Sequence, residues 1–155
     1  MKKVLLIVLL LLVIGSLVIF FSQREVKKPV AFKKGVPKTS MKINITIDDK
    51  TFEGILEDNK TTEEFIKVLP LDINMEDLND NEKYYYFNTS FPTEPKNYKE
   101  IKSGDIMLFG DNCLVIFYED HTSYYDYTKI GKINNTEGLK EILKNNNNKI
   151  KIELK

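Results

Sequence analysis

The single histidine of this 155-residue chain, His121, lies in a short acidic segment with Glu119, Asp120 and Asp126. Carboxylates beside an imidazole are the groups that general acid–base catalysis or a metal site would use. The same pattern is also typical of a solvated turn between two strands, which is the interpretation we favour. A lone Cys113 and a lone histidine exclude Cys-cluster zinc sites and two-histidine motifs. The sequence therefore predicts no metal site, no cofactor and no catalytic residue.

Aromatic side chains are a second candidate for a functional site, and many of them lie between positions 84 and 127. Alternate residues of a strand face opposite sides, so Tyr84 and Tyr86 cannot share a face with Tyr85 and Phe87. One of these pairs must therefore face outwards or line a cleft. Such rings are either ordinary core and surface residues or the wall of a groove that binds an extended peptide or a small ligand.

The elements that would position these residues are mostly short strands. Alternating or β-favouring segments occupy residues 41–47, 51–56, 82–88, 106–109, 113–118, 124–133 and 150–154. Thr61 and Glu64 predict a capping box for a short helix that Pro70 ends, and Thr136 is the predicted cap of a second helix with Leu139, Ile142 and Leu143 on one face. About seven strands and two short helices predict a mainly β fold, most simply a small closed barrel with helices at its ends.

The order of these segments resembles the bacterial cyclophilin-like domains, compact β-barrels related in fold to the cyclophilin prolyl isomerases. The resemblance covers residues 41–155. It is carried by the hairpin Ile43 to Leu56 with the helix ending in Leu69-Pro70-Leu71, by Glu82 and its tyrosine strand, by Gly104-Asp105-Ile106 and Ile116-Phe117-Tyr118, and by Ile130-Gly131-Lys132-Ile133. It implies a groove in which Tyr127, four residues before Gly131, takes the place of a histidine.

The resemblance does not carry isomerase activity with it. Cyclophilins place an arginine guanidinium against the proline nitrogen, assisted by a glutamine and a tryptophan, and residues 41–155 contain none of these three residue types. A lysine ammonium lacks the planar fork of arginine and is a poor replacement. We therefore expect a binding or interaction module whose groove contacts its ligand through Phe117, Tyr118, His121 and Tyr127. The alternative is an enzyme of another type that uses the groove around Tyr127 and His121.

Charge is distributed unevenly along the chain. Residues 1–40 hold eight lysines or arginines and one acidic residue, whereas residues 41–155 hold fifteen lysines and twenty-two acidic residues, a net charge of −7. An acidic domain repels phosphate backbones. We therefore expect no nucleic-acid partner.

The N-terminal residues have the composition of a membrane anchor followed by a tether. Residues 4–21 carry no charge, and as a helix they would span about 27 Å, close to the hydrocarbon core of a bilayer. Because no small-residue cleavage site follows, we interpret residues 1–21 as a transmembrane anchor or uncleaved signal. Residues 22–40 contain two prolines and six basic residues, which predicts a basic flexible linker.

The orientation of this anchor receives conflicting signals. The basic residues after the apolar run favour a cytoplasmic domain. A start with two lysines followed at once by a long apolar run is instead typical of an export signal. We expect a single-pass protein of the cell membrane with residues 41–155 outside the cytoplasm.

The first prediction is that the mature protein retains residues 4–21. N-terminal sequencing of the protein from a membrane fraction should give a start before residue 4, and a start near residue 22 would contradict it. Protease added to intact cells should remove the domain, because we expect it to be extracytoplasmic. A domain that stays protected would show that the basic linker, and not the export-like start, sets the topology.

Overall fold

A computed structural model of the chain describes residues 41–144 and 149–155. The predicted anchor and linker in residues 1–40 and the predicted polar loop at residues 145–148 lie outside the described residues. Within the described ranges, no helix combines the length and apolar character needed to cross a membrane.

The described residues form twelve strands and two short helices. The strands are β1 (Lys42–Ile47), β2 (Lys50–Leu56), β3 (Leu71–Asn74), β4 (Glu76–Leu78), β5 (Glu82–Tyr86), β6 (Lys96–Asn97), β7 (Glu100–Ile101), β8 (Asp105–Phe109), β9 (Cys113–Phe117), β10 (His121–Thr122), β11 (Asp126–Ile133) and β12 (Lys149–Leu154). The helices are α1 (Lys60–Phe65), which continues as a 3₁₀ turn (Ile66–Val68), and α2 (Leu139–Lys144). Every predicted strand and helix is confirmed, whereas β3, β4, β6, β7 and β10 were not predicted.

The main sheet curls into a nearly closed antiparallel barrel. Its strand order is β3-β12-β1-β2-β11-β8-β9-β5-β4, with β6 paired to the start of β11. The two edge strands, β3 and β4, are separated by Met75 alone, and that side chain is fully buried. The continuous segment 71–78 therefore pairs with β12 through its first half and with β5 through its second half. This segment connects the two edges of the sheet, which confirms the mainly β barrel.

The start of α1 differs from the prediction. The helix begins at Lys60, and its cap is Asn59, whose side chain accepts a hydrogen bond from the Thr62 backbone N–H at 2.9 Å. Asparagine is as good a cap as threonine. The predicted capping box of Thr61 and Glu64 is wrong, because the Thr61 hydroxyl is buried and donates to a carbonyl of the segment between β5 and β6.

Most residues on both faces of β8 and β9 are apolar and buried. Ile106, Leu108, Leu114 and Ile116 belong to the large inner core, to which the helices add other side chains. The alternate residues of the same strands face the other way and join a second, smaller cluster on the outer face: Ile101, Met107, Cys113, Val115, Phe117 and Tyr127. The outer face of these strands is therefore a packed platform.

A close approach between β11 and β2 depends on Gly131. The register of β11 against β8 shifts between Lys129 and Gly131. A Cβ atom at Gly131 would lie 2.5 Å from the carbonyl oxygen of Ile55, which is a backbone atom that cannot move independently. Only glycine fits this crossing without separating two neighbouring strands of the barrel.

We predict that Gly131→Ala destabilises the chain by about 2 kcal/mol or more, because β11 and β2 must separate to accommodate the methyl group. Urea denaturation measures this loss. The control is Gly110→Asn, since Gly110 has a φ of +60° and nothing within 4 Å of a Cβ atom, and asparagine tolerates that conformation. Equal stability of the two variants would contradict the importance of this strand crossing.

Candidate functional site

A groove of about 550 Å³ lies on the outer face of the barrel. Strands β5, β8 and β9, the start of β11, and the segment from β10 to Tyr125 supply its lining. Six of its lining residues are aromatic: Tyr84, Tyr86, Phe109, Tyr124, Tyr125 and Tyr127. Strand alternation therefore directs the first and third tyrosines of the triple-tyrosine strand into the groove, while Tyr85 packs against the inner core.

The walls of the groove are exposed aromatic rings. Tyr86, Tyr124 and Tyr125 are 56%, 90% and 65% exposed, and Phe109 is 40% exposed. The Phe109 ring contacts Tyr125 edge-on at a centroid distance of 5.8 Å and lies 5.6 Å from Tyr127. Rings exposed in one contiguous patch mark an interaction surface more often than scattered apolar residues do.

The floor of the groove brings together three of the four residues that we predicted to contact a ligand. Phe117 is fully buried in the outer cluster, and its ring lies 5.5 Å from that of Tyr127 and 5.2 Å from that of His121. His121 and Tyr127 line the groove directly, whereas Phe117 supports them from below. Burial raises the pKa of Tyr127, although a hydrogen bond with Ser123 opposes this shift.

The fourth predicted residue, Tyr118, lies on the other side of the sheet. Its side chain belongs to the inner core cluster, and its hydroxyl donates a hydrogen bond to Asp77 Oδ2 at 2.6 Å. It is not among the residues that line the groove. Phe117 and Tyr118 are consecutive at the end of a strand, so they face opposite sides and cannot both serve one groove.

Glu82 lines the groove, although the sequence analysis named it only for the family resemblance and not as a site residue. It begins β5 on the same face as Tyr84 and Tyr86, lines the groove, and is only 8% exposed. No other described residue forms a hydrogen bond or an ion pair with its carboxylate. Burial, together with the negative charge of Asp77, raises the pKa of Glu82 to about 7. The alternation that separates the tyrosines also places Glu82 in the groove, and this signal was present in the sequence.

The charges behind this strand do not neutralise Glu82. Lys83 is buried on the inner side, where its Nζ lies 2.9 Å from Asp77 Oδ2. Burial opposes ionisation of Asp77, but hydrogen bonds from Tyr118 and Lys83 outweigh it and hold the pKa of Asp77 below its ordinary value. Asp77 therefore stays charged, and its charge adds to the raised pKa of Glu82.

The acidic group around His121 does not form a histidine–carboxylate pair. Asp120 accepts hydrogen bonds from the Ser103 N–H at 2.8 Å and from Lys102 Nζ at 3.2 Å, and both lower its pKa. The Nδ1 atom of the His121 imidazole lies 3.3 Å from the Glu119 carbonyl oxygen. Within residues 41–144 and 149–155, no three His, Cys, Asp or Glu side chains are placed to hold a metal ion.

An antiparallel, nearly closed barrel with a ligand-sized groove on its outer face defines a class of small β-barrel domains. A family model described as the cyclophilin-like family matches residues 45–155, and the chain belongs to that family. A comparison with curated proteins found no match. The family model confirms the resemblance over almost the whole barrel.

We predict that Glu82→Gln changes the pH dependence of stability. The raised pKa means that Glu82 binds its proton more tightly in the folded chain, so stability is lost as the pH rises from about 4.5 to about 7. The glutamine variant lacks this loss, and its stability relative to the wild type should increase by about 3 kcal/mol between pH 4.5 and pH 8. Urea denaturation at both pH values measures the difference.

The glutamine amide can change the free energy of unfolding, but this contribution is the same at every pH. The quantity to compare is therefore the change with pH in the stability of Glu82→Gln relative to the wild type. The matched control is Glu57→Gln, an exposed carboxylate that does not line the groove. A Glu82→Gln variant whose stability relative to the wild type is the same at both pH values would contradict the burial of an unpaired carboxyl group.

Proposed function

We propose that the chain is a membrane-tethered binding module whose outer groove holds an extended peptide or a small ligand without prolyl isomerase activity by the cyclophilin mechanism. The observation that carries this proposal is the wall of exposed rings around a groove of about 550 Å³. Rings of this kind supply large apolar contact area at a low cost in side-chain entropy. Their support on the packed outer cluster favours a preformed site over one that must assemble on binding.

The charges of the groove support the absence of isomerase activity. The barrier to rotation about a peptide bond is about 18–20 kcal/mol, and cyclophilins lower it with a guanidinium placed against the proline nitrogen. The described lining of the groove includes neither lysine nor arginine. The nearest lysine along β5, Lys83, faces the inner side and pairs with Asp77. A developing charge at the proline nitrogen would therefore meet no cationic fork.

The membrane part of the proposal rests on sequence alone. Residues 4–21 would anchor the chain and residues 22–40 would tether the barrel outside the cytoplasm. The basic residues of the tether would hold the barrel near anionic head groups, at about 1 kcal/mol for each base close to the surface.

One observation favours a second candidate function, an enzyme of another type that uses the same groove. A carboxyl group with a pKa of about 7 in a concave site has the properties of a general acid or base. The hydroxyl of Tyr127 and the imidazole of His121 line the same groove. Turnover of a groove ligand that Glu82→Gln abolishes while binding persists would identify this second function.

We predict binding without turnover for proline peptides. The full-length chain should shift the NMR signals of acetyl-Phe-Pro-Tyr-amide, because stacking on proline needs only an aromatic face. Cis–trans exchange of the same peptide should stay at its uncatalysed rate, since no guanidinium is available. Both quantities are measured in one sample, and a cyclophilin provides the positive control for exchange.

The double variant Tyr124→Ser, Tyr125→Ser should weaken the binding several-fold, because it removes the two most exposed rings of the groove. Leu154→Ser is the matched control, since Leu154 is an exposed apolar residue outside the groove. Clear acceleration of exchange that disappears in Tyr127→Ala would overturn the proposal. Binding that the double variant leaves unchanged would show that the groove is not the binding site.

A further inference from the structure

We infer that the groove selects ligands that carry a protonated amine, held jointly by the Glu82 carboxylate and the tyrosine rings beside it. This inference rests on the proposed binding function and adds the chemical class of the ligand. The occupant is an ammonium group on an apolar or peptide chain, either a free amine or a lysine side chain.

The first support is the unpaired carboxyl group. Glu82 is 8% exposed and lines the groove, and no described residue gives it a hydrogen bond or an ion pair. Ionising such a group without a partner is costly, and a cation beside it removes most of the cost. The described lining of the groove holds no lysine, and Lys83 pairs with Asp77 on the inner side. A ligand is therefore the natural source of the missing cation.

The second support is the arrangement of rings around that carboxyl group. Tyr84 and Tyr86 follow Glu82 on the same strand face, with their ring centroids 5.8 Å apart in an edge-on contact. The Tyr84 hydroxyl donates to Glu76 at 2.6 Å, which fixes the orientation of its ring. Tyrosine faces attract cations within about 6 Å of the ring centroid. A carboxylate on the same strand face as such rings offers one ligand a charge-assisted hydrogen bond and cation–π contact.

The third support is the sign of the surrounding charge. Residues 41–155 carry a net charge of −7, which attracts cations and repels anions over several ångströms. Within the groove, Glu82 and the nearby charge of Asp77 add to this field. A carboxylate or phosphate ligand would meet repulsion and no basic side chain other than His121. Cations are therefore the charged ligands that the groove favours.

The protonation of Glu82 sets the expected pH dependence. A cation binds the ionised carboxyl group, so affinity should rise with pH and level off above the pKa of about 7. If protonated Glu82 donated a hydrogen bond to a neutral ligand instead, affinity would fall over the same range. The titratable groups that face or electrostatically couple to Glu82 are Asp77 from β4, Tyr84 from its own strand, Cys113 from β9, Tyr127 from β11, and His121, which also lines the groove.

The test compares two probes that differ in the group they offer to Glu82. Calorimetry or NMR titration of the full-length chain uses 2-phenylethylamine, which stays protonated at pH 6 to 8, and neutral 2-phenylethanol. At pH 8 the amine should bind about tenfold more tightly. Its affinity should fall about tenfold between pH 8 and pH 6. Glu82→Gln should abolish both the preference and the pH dependence, whereas Glu57→Gln should keep them.

A peptide pair distinguishes the two sources of the ammonium group. Acetyl-Phe-Lys-amide binding about tenfold more tightly than acetyl-Phe-norleucine-amide identifies a lysine side chain as an acceptable occupant. A preference confined to 2-phenylethylamine identifies a free amine. Either result supports the inference, provided that Glu82→Gln removes the preference.

Equal affinity for charged and neutral probes, or a preference that survives in Glu82→Gln, would overturn the inference. The proposed binding function is judged separately by the proline peptide and by the Tyr124→Ser, Tyr125→Ser variant. Binding that needs these rings but ignores ligand charge would therefore retain the binding function and reject the amine. The absence of any amine binding would also reject the inference.

Discussion

The ion pair between the buried Lys83 and the partly exposed Asp77 is the interaction on which the groove depends. It joins β5 to β4, the strand that brings one edge of the sheet round to the other, and Tyr118 at the end of β9 completes it with a hydrogen bond. Removing Asp77 would take this partner from the buried Lys83 ammonium, which is destabilising. The pair also holds the Lys83 ammonium on the inner side of β5. Glu82, one residue earlier, consequently faces the groove with no basic neighbour from its own strand.

The two faces of β5 differ in how their charged groups are compensated. The inner side satisfies a lysine and an aspartate with each other, and the outer side leaves a carboxyl group unsatisfied. Strands β8 and β9 contribute buried side chains to the inner core on one face and to the outer cluster on the other. The floor of the groove is therefore packed. The rings above it are exposed. The groove therefore combines a rigid floor, accessible walls and one charge that the protein itself does not compensate.

Much of the barrel could be predicted because each long strand repeats its alternation several times. β6, β7 and β10 have two residues each, which is too few for a periodic signal, and β3 and β4 are short halves of one bent segment. The helix cap was misplaced since Asn59 and Thr61 are both good capping residues, and only the packing of Thr61 against another segment decides between them. The errors at the site have a different origin. Grouping Tyr118 with Phe117 ignored the alternation that correctly divided the tyrosines, and the same alternation would have placed Glu82 beside Tyr84.

The family relationship and the local chemistry lead to different expectations for the groove, and the proposed function follows the local chemistry. Cyclophilin catalysis needs a fixed cation directed at the substrate, and residues 41–155 have no arginine to supply one. The groove instead presents a fixed acid with a raised pKa, at a position flanked by electron-rich rings. In this chain the acid of the groove is Glu82, which stands at a groove-facing position of β5. Under the proposed function, the barrel would determine where a ligand binds, and the residue at position 82 would determine which charge that ligand carries.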